Sequence, residues 1–99
     1  MKPQTLVKAL EDVAQQMGVR VRRERGSFRG GSCTVADHPV IVLNKLHPPE
    51  AHLGILAEAL RSLPVESIYI RPAVRRALED LWTRRDELQI ETEVVADDA

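Results

Sequence analysis

The chain has a single cysteine, Cys33, and one cysteine excludes an intramolecular disulfide. That usage suits a reducing compartment, so a cytoplasmic location is expected. Aromatic residues are nearly absent: Phe28, Tyr69 and Trp82 are the only three, and the core must be built from Leu, Val, Ile and Ala. No apolar run is long enough to span a bilayer. The opening MKPQTLVKALEDV alternates too soon to be a secretion signal, and no membrane partner is expected. A net charge of −1 removes any bulk electrostatic pull toward DNA or an anionic surface. Metal-ligand spacing is missing too. His47 and His52 are about 140° apart around a helix, and His38 lies in a turn, so neither a metal nor a cofactor is expected.

What is present fits one globular domain. The chain has 99 residues, 43% of them apolar and 29% charged, enough for a modest core under a polar surface. The charges are segregated. Five arginines and one acid fall between Arg20 and Arg29, whereas six acids and no base fall between Asp86 and Ala99.

Leu6, Leu10, Val13 and Met17 form an apolar stripe at helical spacing, so Pro3 to Met17 is predicted to be a helix, ended by Gly18. VRVRRE, from Val19, alternates like a half-buried strand, and SCTVAD, from Ser32, reads as a second strand. Asp37-His38-Pro39 reads as a tight turn, and PVIVLNK as a more fully buried third strand. Pro48-Pro49-Glu50 opens a helix whose stripe is Leu53, Leu56, Leu60 and Leu63, stopped near Ser62 by Pro64. VESIYI fits either a short strand or a helical turn, and Pro72 opens a last helix. The expected fold is α+β: an N-terminal helix, a three-stranded antiparallel β-meander, then two helices packed on the sheet. Residues 1–87 form the domain in this reading, and 88–99 an acidic, loose tail, with a late strand as the alternative.

RRERGSFRGGSC, from Arg22 to Cys33, is the densest stretch. Alternation accounts for Arg20 and Arg22 as the solvent side of a strand, and Gly26, Gly30 and Gly31 supply the turning positions of a wide hairpin loop. The same residues, read as an Arg-Gly box, would bind nucleic acid through phosphate contacts and stacking. One copy between two strands is a poor match to a repeated, disordered box. Cys33 shares a strand face with Val35, so it is expected in the core. As a nucleophile it would need a base within reach, and His38 is the nearest in sequence. Arg-rich edges oppose self-association through the sheet.

The order of elements, a helix, a short β-meander whose Ile/Val-rich strand ends near Asn44, and then PPEAHLGILAEALRSL, resembles small metallopeptidase-like domains of the ImmA/IrrE type. In that family the helix after the meander carries His-Glu-x-x-His, whose histidines bind zinc and whose glutamate activates water. Here Glu58 stands at the glutamate position, but Ala57 and Arg61 stand at the two histidine positions, and neither can ligate zinc. The resemblance spans Val19 to Leu63 and implies a metal-free, inactive relative. The whole chain also resembles a family of small bacterial proteins that share an Arg/Lys-Gly-Gly-x-Cys element (Arg29 to Cys33), an Ile-Val-Leu-Asn-Lys strand (Ile41 to Lys45) and a Pro-Ala-Val-Arg helix (Pro72 to Arg75). That likeness implies a fold and no chemistry.

The leading expectation is therefore a small non-catalytic protein that acts through protein contacts. Its contact surface is the loop bearing Arg23, Arg25, Phe28 and Arg29, with Phe28 as the aromatic anchor. The alternatives are a degenerate or substituted hydrolase using Cys33, His38 or Glu58, and nucleic-acid binding through the Arg/Gly hairpin.

Overall fold

The computed structural model describes residues 1–97, with side chains described as far as residue 88. Its elements run α1 (Pro3–Gln16), β1 (Arg20–Glu24), β2 (Gly31–Val35), β3 (His38–Asn44), α2 (Pro49–Arg61), one 3-10 turn (Val65–Ser67) and α3 (Pro72–Asp97). The class is α+β, as the sequence implies.

The predicted apolar stripe of α1 is buried at Leu6, Leu10 and Val13. The helix ends as its sequence dictates. Gly18, at φ +83°, donates to Gln15 O at 3.0 Å, and Val19 donates to Ala14 O at 2.9 Å. That paired closure satisfies two terminal carbonyls and turns the chain directly into β1.

The sheet departs from the expected meander. Its order is β1-β3-β2, with β1 parallel to β3 and β2 antiparallel to β3. The chain leaves β1, crosses over the end of β3 and comes back as β2, and a tight turn then inserts β3 between the two. The physical reason is apolar content. Val40, Ile41, Val42 and Leu43 form the one strand able to bury both faces, and the central position hides both faces and both edges. A meander would have put GSCTV in the centre, where its small polar side chains bury little.

The tight turn is at Ala36 and Asp37, both at positive φ (51° and 66°), one residue earlier than expected. Two such residues make the primed turn that matches strand twist. In this geometry the flanking pair, Val35 and His38, exchanges both backbone bonds, and the pattern then alternates along the strands. Lys45 N donating to Glu24 O at 2.9 Å fits the same alternation, because odd-numbered residues of β3 then face β1. Pro39 is tolerated because its missing donor faces away from β2. By the same alternation Ser32 and Thr34 direct their backbone N–H and C=O groups outward, along the free edge of β2.

α1 and α2 cover one face of the sheet, and α3 packs on those two helices. Ile41 and Leu43 of β3 and Val19 and Val21 at β1 join Leu10, Leu56, Leu60, Val74 and Leu78 in one apolar cluster. The opposite face carries Arg20, Arg22, Val40, Val42 and, by register, Cys33 and Val35. Trp82 closes the α2–α3 contact, its indole N–H donating to Ala57 O at 2.7 Å.

VESIYI resolves into the 3-10 turn followed by extended chain, with Val65 buried and Ile68 and Ile70 packed on the core. The segment from residue 88, expected as a loose tail or a late strand, continues the backbone of α3 as far as Asp97. No proline or glycine interrupts the chain after Pro72, so nothing local forces the helix to stop. Residues 98 and 99 lie outside the described residues. Among the described residues no helix is long and apolar enough to cross a membrane.

Candidate functional site

A cleft of about 660 Å³ lies between the start of β2, the outer side of α2 and α3. One wall is Arg29 and the backbone of Gly30 to Ser32. The floor and far wall are Glu50, Gly54, Ile55 and Glu58 on α2, preceded by His47, and Arg85 of α3 completes it. Three segments distant in sequence meet here.

Two devices hold the strand side. Asn44, at the end of β3, is 1% exposed and lies under the crossing loop. Its amide donates to Gly26 O and Phe28 O, both at 2.7 Å, and its side-chain oxygen accepts from Leu46 N at 3.0 Å. One buried side chain thus satisfies both sides of the crossover. Its backbone carbonyl accepts from His52 Nε2 at 2.7 Å, which ties α2 to the same point. His52 is buried, whereas His47, ahead of α2, lines the cleft. The second device is Gly30, at φ +89°, where a Cβ would stand 2.7 Å from Val42 O and 2.9 Å from Ile55 Cδ1. Only glycine lets the chain turn into β2 this close to β3 and α2.

The helix side is held by ion pairs. Arg85 Nε donates to Glu58 Oε2 at 3.1 Å, and its guanidinium lies over Gly54, where a Cβ would be 3.2 Å away. A glycine inside a helix costs about 1 kcal/mol relative to alanine; here it makes room for that side chain. One turn on, Arg61 donates to both carboxylate oxygens of Asp86 at 2.6 Å each. The paired guanidinium holds the Asp86 carboxyl below its ordinary value of 3.8 and raises Arg61. Because the folded-state value of Asp86 is lowered, the clamp is at full strength above the ordinary carboxylate value and is lost as pH falls through the lowered one. In an NMR titration Asp86 is expected to protonate below the ordinary carboxylate value, and to return toward it in Arg61→Gln. An unchanged midpoint in that variant would dissociate the shift from the clamp. Both side chains are about half exposed, so salt weakens the effect.

The residues singled out from sequence end up in different places. Arg23 is exposed but pairs with Glu11 of α1, so it clasps β1 to the helix layer. Arg25 is exposed on the crossing loop. Phe28 is half-buried and turns its ring back toward Gly26, beside a shallow depression shared with Val42 and Cys33. Arg29 alone of the four reaches the cleft. The loop is a crossover rather than a hairpin turn, and it leaves Arg23 against α1 and Arg29 at the cleft.

Cys33 is exposed, which corrects the expectation that it sits in the core. It does share a face with Val35, but that face is the one without helices, and β2 is an edge strand. His38 is exposed beside the turn, and Glu58 is in the cleft with Arg85. The three do not converge. Among the described residues no group of three His, Cys, Asp or Glu side chains is placed to hold a metal ion. At the positions where the metallopeptidase-like resemblance would need histidines, Ala57 is fully buried and Arg61 is engaged by Asp86.

Comparison of the chain with family models, with curated proteins and with solved structures gave no match.

Sequence reasoning missed His47, Glu50, Gly54 and Arg85, as well as the bare backbone of β2. Gly54 carried the one readable signal: a glycine within a helical stripe usually marks a close approach.

Proposed function

We propose that this protein is a non-catalytic binding domain that receives an extended protein segment along the free edge of β2, over the cleft. The observation that carries the reading is the edge itself. Ser32 and Thr34 direct their backbone groups away from β3, beside a concavity and with no further strand paired to β2 among the described residues, and Gly31–Val35 carries no charge to repel one. Addition of a strand to such an edge gains affinity from main-chain bonds and specificity from flanking side chains. Arg29 on the β2 wall and Glu50 on α2, with the Arg85–Glu58 pair beside them, can read the charges of the incoming segment. Because Glu58 is committed to Arg85 and stands apart from Cys33 and His38, the hydrolase alternative gains no support. The scattering of Arg23, Arg25 and Arg29 likewise gives none to nucleic-acid binding.

Random heptapeptides displayed on phage and selected on the protein provide the probe. Selected peptides are expected to shift the amide resonances of Ser32 and Thr34 in the folded protein. Thr34→Pro deletes an outward donor without touching the β2–β3 ladder, so it should abolish binding and leave the melting temperature nearly unchanged. Peptides that bind Thr34→Pro as well as the wild type would refute the reading.

A further inference from the structure

We infer that the segment received by β2 carries an aromatic residue opposite Gly31, whose ring fills the hollow that this glycine leaves on the helix-free face of the sheet. The inference rests on the edge-binding reading above and names the side chain that gives the site its specificity.

The hollow follows from one cross-strand row. Arg22 of β1, Val42 of β3 and Gly31 of β2 are in register, and residues in register send their side chains to the same face. The third place in this row has no side chain, and Val42 is left half-buried. The result is a depression of about 410 Å³, with Val42 as its floor, Phe28 as one wall and the backbone of Gly30 to Cys33 as the other. A Cβ on Gly31 would meet nothing within 4 Å, so the space is open to a side chain arriving from outside. The neighbouring row shows the contrast. Arg20, Val40 and Cys33 are in register, every place is filled, and Val40 is 4% exposed on the same helix-free face.

A strand added at the β2 edge extends the glycine row by one place. Gly31 directs its backbone groups at β3, so in antiparallel pairing its new neighbour stands at a non-hydrogen-bonded position, with Cα atoms about 4.5 Å apart. A ring at that position can lean across the glycine onto the residue beyond it, the way aromatic side chains cover edge glycines in sheets. Two features select a ring over an aliphatic chain. Phe28 offers an aromatic partner. Arg29 lines the same hollow, enters no ion pair among the described residues and offers a guanidinium to stack.

The peptides selected from the random heptapeptide display test the hollow. They are expected to share one Trp, Tyr or Phe. Binding of such a peptide should move the Val42 methyl resonances upfield through the ring current, together with the Ser32 and Thr34 amides. Replacing the aromatic residue of the peptide by alanine should weaken binding by about tenfold or more and remove the Val42 shift, while the amide shifts persist at saturation. Gly31→Ala fills the hollow from the protein's side. It should weaken the aromatic peptide about tenfold and the alanine peptide less than about twofold, with circular dichroism and a melting curve confirming that the variant folds. Val42→Thr, which keeps the shape of the floor and adds a hydroxyl, should reduce the same preference and serves as the second variant. Peptides that move Ser32 and Thr34 and are blocked by Thr34→Pro, yet share no aromatic residue or leave the Val42 methyls in place, overturn this inference and leave the edge-binding reading standing. If no selected peptide binds at the edge, both fall.

Discussion

Asn44→Ala is expected to lower the stability of the fold by about 3 kcal/mol. The side chain is almost fully buried and makes three hydrogen bonds, to Gly26 O, Phe28 O and Leu46 N. Each buried bond contributes on the order of 1 kcal/mol net, and the partners left behind also lose the solvation they gave up on folding. For a domain whose total stability is about 5–15 kcal/mol, this is a large share. Asn44→Asp should be worse still, because a carboxylate has no donor to offer two carbonyl oxygens at 2.7 Å. Urea unfolding of the two variants checks both the size and the order. A loss below about 1 kcal/mol for the alanine variant would mean that the crossover is held by something else. The effect should also reach the cleft. The loop tied down by Asn44 carries Arg29, so a destabilised variant that still folds should lose binding at the β2 edge before it loses secondary structure.

Gly30→Ala is expected to cost about 3 kcal/mol, from two sources that add. The residue sits at φ +89°, where a side chain is strained by about 1 kcal/mol or more. The new Cβ would also stand 2.7 Å from the Val42 carbonyl oxygen, part of the central strand and unable to move away. Crowding of that kind costs roughly 1–3 kcal/mol. Gly18→Ala is the internal control. Its φ of +83° is similar, yet nothing lies within 4 Å of the added atom, so only the backbone strain should appear, about 1 kcal/mol. Thermal or chemical unfolding that ranked the two equally would show that the contact with β3 and Ile55 relaxes freely.

The two substitutions strike the same feature, the crossing of residues 25–30 over the end of β3. That feature also marks the limit of what a linear reading could reach. The segment RRERGSFRGG contains every residue of the crossover, and its glycines announce that the chain turns. They do not say across what it turns. Short connections between three strands suggest a meander, and the observed order differs from a meander only in which strand takes the centre.

The chain's own pattern settled the local questions. Apolar spacing set the stripes of α1 and α2, Gly18 and Pro64 set where they end, and the scarcity of aromatics made the core one of Leu, Val, Ile and Ala. These are matters of helical period and of single-residue backbone preference, which act within a few residues. Strand order, the exposure of Cys33 and the cleft itself were decided by competition between segments. VIVL displaced GSCTV from the centre because burying both of its faces gained more, and that exchange left the cysteine on an open edge. Alternation assigns side chains to two faces of a strand, but only the docking of α1, α2 and α3 decides which face is covered. The cleft joins Arg29, Glu58 and Arg85, which are brought together by that docking and by nothing in their spacing.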